Sequence, residues 1–134
     1  MNSNYTLSAR CVLANGTERI VRCAYARSFA QRFMGLMGKS SVPAGCGLIF
    51  ERCRSIHMFF MKVPLDVVWT GPRLSDGSYR VLGLSSSVQP WTLAGAPGGA
   101  CVAIEFAAGT FDVMPVTLTL CGGPRAEKLV IPLG

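Results

Sequence analysis

Residues 56–69 constrain this chain more than any other stretch. Read as extended backbone, His57, Phe59, Met61, Val63, Leu65, Val67 and Trp69 share one face, and all but the first are apolar. The opposite face mixes Ile56, Met58, Phe60 and Val68 with Lys62, Pro64 and Asp66. Successive strand side chains point to opposite sides, so the pattern predicts an odd-numbered row packed in a core and a mixed row facing away. Pro64 has no N–H to give to a ladder, and a break, a bulge or a sheet edge is expected there. Such a strand requires other strands to complete its sheet.

The remaining sequence supplies them. Asn15-Gly16 marks a hairpin turn between strands over 5–13 and 18–26. A two-residue turn at that point predicts Cys11 opposite Ile20 and Cys23 opposite Ser8. Asp76-Gly77 marks a second turn, ahead of a strand over 79–84. Further strands are expected over 47–52, 100–106, 116–121 and 128–133. One helix stands out. Ser28 with Gln31 forms a capping box, Phe29, Phe33, Leu36 and Met37 fall on one helical face, and Gly38 is placed to end it. Arg32, Gly35 and Lys39 occupy another face, where Gly35 leaves space beside Arg32 for a close approach. With no repeat and no linker, residues 1–134 read as one domain. Its class is mainly β, a sandwich or partly closed barrel with one short α-helix (about residues 29–37) packed on it.

Thirteen Lys and Arg against seven Asp and Glu give a net charge of +6, which favours anionic partners in general. The basic residues are scattered, the densest group being Arg52 and Arg54, and no nucleic-acid signature accompanies them. Nucleic acid is therefore not expected as a partner. The longest uncharged run, 81–104, carries Pro90, Pro97, serines and glycines, a composition unfit for a membrane helix. The first sixteen residues lack the apolar core of a secretory signal, so the expected compartment is the cytoplasm, without membrane insertion. Cysteines stand at 11, 23, 46, 53, 101 and 121 with no Cys-x-x-Cys pair, and free, mostly buried thiols are expected.

His57 is the only histidine. Met58, Met61 and Cys53 near it fit no familiar ligand spacing, so neither a metal nor a cofactor is expected. Cys46, flanked by two glycines, is the best thiol nucleophile, and His57 the only imidazole base available to it. The structural reading, a buried cysteine in a tight loop, is favoured in the absence of an activating neighbour. Lys62 and Asp66 would lie about 13 Å apart in a straight strand, too far to pair directly. Arg32 is one candidate partner for Asp66, through a bidentate guanidinium–carboxylate contact. Two readings stand: an ion pair fastening helix to sheet, or a small-anion or polar-ligand site built from Arg32, Lys62 and Asp66.

FAQRFMGLMGK (29–39), GCGLIF (45–50) and HMFFMKVPLDVVW (57–69), followed by QPW (89–91) and AIEFAAGT (103–110), resemble domain-of-unknown-function family 192. The resembling blocks run in order along most of the chain. The sequence departs from the family pattern where Phe60-Met61-Lys62-Val63-Pro64 lacks the Asn-Thr that many members place before the proline. A Gly-Asp near the C-terminus is also replaced, by Asp112-Val113-Met114-Pro115. The resemblance implies a jelly-roll-like β fold and no transferable activity. Together these readings lead to a non-catalytic module that binds a small anionic or polar ligand or a protein. The alternative is a small hydrolase or transferase using Arg32, Lys62, Asp66 and Cys46.

Overall fold

The structure, a computed structural model, describes residues 5–26 and 41–121. The expected helix, with Arg32, and the expected strand over 128–133 lie outside the described residues. Among the described residues nine strands run in the order β1 (Leu7–Leu13), β2 (Glu18–Tyr25), β3 (Cys46–Glu51), β4 (Ser55–His57), β5 (Leu65–Thr70), β6 (Ser78–Val88), β7 (Leu93–Gly95), β8 (Val102–Ala107) and β9 (Pro115–Cys121). Seven of them close a barrel in the order β1-β2-β3-β8-β5-β6-β9, while β4 and β7 form a separate two-stranded sheet. Every neighbouring pair is antiparallel except β2 with β3. The mainly β class expected from the turn signals is what forms. Among the described residues no helix is long and apolar enough to cross a membrane.

The first hairpin corrects the expected register by one residue. Cys11 pairs with Arg19 and Cys23 with Leu7, not with Ile20 and Ser8. Three residues rather than two make the loop, because Val12 pairs with Glu18 and the Leu13 N–H donates to the Thr17 carbonyl at 2.8 Å. Gly16 takes the left-handed position (φ 86°) that a three-residue hairpin loop demands, and Asn15 Oδ1 accepts the Thr17 N–H. All six cysteines are free; Cys11, Cys23 and Cys46 are buried.

Two cores share one wall. Inside the barrel, alternate residues of β1, β2, β3, β5, β6, β8 and β9 meet in a cluster that includes Leu7, Ala9, Cys11, Val21, Ile49, Val68, Tyr79, Ile104, Phe106 and Leu118. The other faces of β3, β5 and β8 contribute Phe50, Leu65, Val67, Trp69 and Ala103 to a second cluster. That cluster is covered by Ile56 of β4, by Met58 and Met61 beyond it, and by Ala94 and Ala96 from the β7 side. All six residues of β5 are therefore buried, as a strand with a core on each face requires.

The continuous strand over 56–69 does not form. Its halves are β4 and β5, joined by the turn residues 58–64 around the expected break at Pro64. In β5 the odd row packs in a core as expected, but Asp66 and Val68 of the row expected to face away are buried as well. Before β5 the parity inverts, with Ile56 and Met58 buried and His57 and Phe59 exposed. The physical reason is the second core, which draws in the even side chains of β4 to cover the barrel wall.

GCGLIF owes two of its residues to backbone and packing constraints. Gly45 lies in the left-handed region (φ 71°), and at Gly47 a Cβ would stand 2.6 Å from the Phe106 ring and 3.0 Å from Ile104. Filling that seat overpacks the barrel core. Gly47→Ala is expected to cost about 2 kcal/mol in urea unfolding, and an unchanged midpoint would show that Phe106 relaxes freely.

Candidate functional site

Asp66 sits on β5 opposite a bulge in β6, where Leu65 pairs with Val88 but Val67 pairs with Ser85. Its carboxylate is buried (1% exposed) and accepts three backbone N–H groups. Ser87 donates to Oδ1 at 2.9 Å, while Gly109 and Phe111 donate to Oδ2 at 3.1 and 3.2 Å. Ser87 itself is left-handed (φ 48°), so the carboxylate holds the bulge in place as well as the loop after β8. Arg19 grips the same loop from β2, donating to the Thr110 carbonyl with its guanidinium 5.6 Å from the Phe111 ring centre. Lys62 is exposed in the 58–64 turn. Of the three residues singled out in the sequence, Asp66 thus faces backbone donors, Lys62 faces solvent, and Arg32 lies outside the described residues.

Cys46 begins β3 and is buried. Desolvation pushes its thiol above the ordinary value, and the nearby Arg22 charge opposes this without reversing it. A nucleophilic cysteine needs the opposite shift. His57, the only imidazole available for such chemistry, stands exposed on β4, in ring contact with Phe59.

Two polar features went unnoticed in the sequence because only the fold assembles them. One is a hydrogen-bond chain across the barrel: Arg73 donates to the Tyr25 hydroxyl at 3.3 Å, the Tyr25 and Tyr79 hydroxyls meet at 2.7 Å, and Tyr79 donates to Glu51 Oε2 at 3.0 Å. It satisfies a fully buried tyrosine whose phenol burial pushes well above the usual range. The other is Glu105 on β8, between its strand partners Leu48 and Val67 and facing the second core. Its carboxyl is 8% exposed, and burial pushes it up to about 7.

Among the described residues, several exposed aromatic side chains gather at the β4–β7 sheet. His57 and Phe59 ring centres lie 5.1 Å apart, Phe59 and Trp91 6.1 Å, and Phe60 and Trp91 4.9 Å. Leu93, paired with His57 across β4 and β7, extends the row. Phe59, Phe60, Trp91 and Leu93 are 40%, 60%, 60% and 71% exposed. Two of these residues carry left-handed backbone, Phe60 at φ 65° and Trp91 at φ 66°, an unfavourable conformation for large side chains. Met58 holds both in place. Its N–H donates to the Thr92 carbonyl at 2.7 Å, and its carbonyl accepts the N–H groups of Trp91 at 2.7 Å and Met61 at 3.2 Å. The Met58 side chain is buried beneath. The signal available in the sequence was a tryptophan directly after a proline, in a turn where a small polar residue would have served.

A family model for DUF192, described as an uncharacterized ACR, matches residues 11–118. No curated protein matches the chain. Among solved structures, a protein of unknown function from Novosphingobium aromaticivorans DSM 12444 is similar, with TM-score 0.65 and 21% identity over 82% of each chain. A candidate transcription regulator from Sinorhizobium meliloti 1021 is similar with TM-score 0.66 and 22% identity, over 85% of this chain and 92% of the other. At these identities the likeness is one of fold.

Two outcomes follow from the buried carboxyls. Asp66→Asn swaps an acceptor oxygen for an amide that faces N–H donors, and is expected to cost about 2 kcal/mol or more of thermal stability; an unchanged melting temperature would assign Asp66 another role. Glu105 binds its proton more tightly folded than unfolded, so stability should fall as pH rises from about 4.5 to about 7 and level off above. Glu105→Gln should remove that slope in melting curves taken across the same range.

Proposed function

The chain belongs to the DUF192 family, and we propose that it is a non-catalytic binding module whose contact surface is the platform of His57, Phe59, Phe60, Trp91 and Leu93. The observation that carries this reading is the pairing of exposure with backbone strain. A left-handed conformation costs a non-glycine residue about 1–2 kcal/mol, and here two large rings accept it while remaining 60% exposed. Packing gives no return for that cost, whereas holding the rings outward in a fixed row does. Strained residues held by their surroundings are a mark of binding sites, and contiguous exposed apolar surface is a mark of contact faces.

The polar candidates fit around this surface. Lys62, next to Met61 and Phe60, belongs to the rim of the platform, and Asp66 acts as the scaffold that positions the loops behind it. A hydrolytic role for Cys46 has little to support it, since its thiol is buried and shifted away from the thiolate. Free cysteines throughout fit a reducing compartment, which supports a place in the cytoplasm.

Substitution by glycine tests the platform. Phe60→Gly and Trp91→Gly relieve the left-handed strain while removing exposed rings, so each variant is expected to stay within about 1 kcal/mol of the parent in chemical unfolding. A loss of several kcal/mol in either would show that the rings are there to pack, and the binding reading would fall.

A further inference from the structure

Glu105 belongs to AIEFAAGT (103–110), a block most of whose side chains the fold accounts for. Ile104 and Phe106 pack inside the barrel, and Ala103 lies in the wall beneath the second core. Gly109 is left-handed (φ 85°) and gives its N–H to Asp66, while Thr110 Oγ1 donates to the Ala107 carbonyl. Glu105 has no such task. Burial is the one influence that shifts its carboxyl, and no neighbouring charge opposes it. What the structure brings to it is Tyr5, whose carbonyl accepts from Arg22 Nε at 3.1 Å. Burial raises the Tyr5 phenol, and the nearby Cys46 and Glu105 add to the rise. Neither the Glu105 oxygens nor the Tyr5 hydroxyl has a hydrogen-bond partner among the described residues. Neither is sealed off, because the 8% and 7% exposure of these residues includes their polar tips. Two buried polar groups within electrostatic reach of each other and both without partners call for an explanation, since such groups nearly always find one.

We propose that Glu105 and Tyr5 form a binding site for a primary ammonium group carried on a short apolar stem. The carboxylate receives the positive charge, and the Tyr5 oxygen accepts a further N–H. Leu48, half-buried opposite Glu105 on β3, and Ala107, on the same face of β8, offer apolar contact to the stem. A metal ion would need more ligands, and among the described residues no group of three His, Cys, Asp or Glu gathers. The carboxylate repels an anion. A guanidinium is a wider, planar fork, for which two tips exposed by less than a tenth leave less room. Binding is coupled to a proton: the empty site holds one on Glu105 up to about pH 7, and the ammonium takes the ionised form and releases it. The other titratable groups on this side keep their charge through that range. Burial raises both the Tyr5 phenol and the Cys46 thiol, and the Arg22 charge lies beyond Cys46 on β2. Asp66 pairs with Phe106 and so faces the barrel interior. The site uses none of the platform rings, so it stands or falls apart from the platform reading.

NMR titration of the full chain with n-butylamine tests the inference. Saturable shifts of the Leu48, Glu105 and Ala107 amides are expected. The apparent affinity should be about tenfold higher at about pH 8 than at about pH 6, as a carboxyl titrating at about 7 requires. Glu105→Gln keeps the shape of the side chain and should lose both the binding and its pH dependence. Tyr5→Phe removes one contact and should weaken binding about fivefold. n-Butanol has the stem without the charge, and should produce no saturable shift. Asp76→Asn removes an exposed carboxylate from a turn and should leave binding unchanged. Equal shifts with n-butanol would show apolar partitioning, and an equal loss in Asp76→Asn would show general attraction between charges. Either result overturns the inference, as does binding that persists in Glu105→Gln. The absence of any saturable shift with n-butylamine also overturns it, and leaves the carboxyl to water.

Discussion

β5 has a core on each side, and the rest of the structure follows from that constraint. A strand buried on both faces can hold polar side chains only if each finds partners inside the protein. Thr70 meets this by donating to the Gly71 carbonyl at 2.7 Å, and Trp69 by donating its indole N–H to Ser85 at 2.9 Å. Asp66 meets it with three backbone donors, and so fixes both the bulge in β6 and the loop after β8 from which those donors come. The second core in turn requires a cover. Ile56, Met58, Met61, Ala94 and Ala96 provide it, and the small β4–β7 sheet is the backbone that brings them there.

The exposed rings are the outward consequence of that cover. Once the even-numbered residues Ile56 and Met58 turn inward, His57 and Phe59 must turn outward. Phe60 and Trp91 follow because the backbone bonds around Met58 pin the ends of both loops. The cost of two left-handed aromatic residues is spread over bonds that a buried methionine anchors. The backbone that carries the exposed rings is thus bonded directly to the residue that covers the core beneath them.

Much of the fold was legible from local signals, because turns and strands in this chain obey local chemistry. Asn15-Gly16 and Asp76-Gly77 turn where expected, and β1, β2, β3, β8 and β9 lie within two residues of their expected bounds at most ends. The one-residue slip in the first hairpin arose because Asn-Gly suits both two- and three-residue loops, and only the pairing of Val12 with Glu18 chooses between them. The parity of residues 56–69 was misread for a different reason. Alternation reports which side chains share a face only while the strand is continuous, and the turn over 58–64 resets it. β7 was missed because Leu93–Gly95 is too short and too rich in small residues to signal a strand without its partner β4.

The site was less legible than the fold, and the contrast between Asp66 and Trp91 explains why. Charged residues in an apolar run draw attention in a sequence, yet burial forces such residues to find internal partners, and Asp66 is consumed in that way. Aromatic residues in an apolar run draw none, since packing accounts for most of them. What separates Trp91 and Phe60 from the buried Trp69 and Phe106 is backbone conformation, which is invisible before the fold is known.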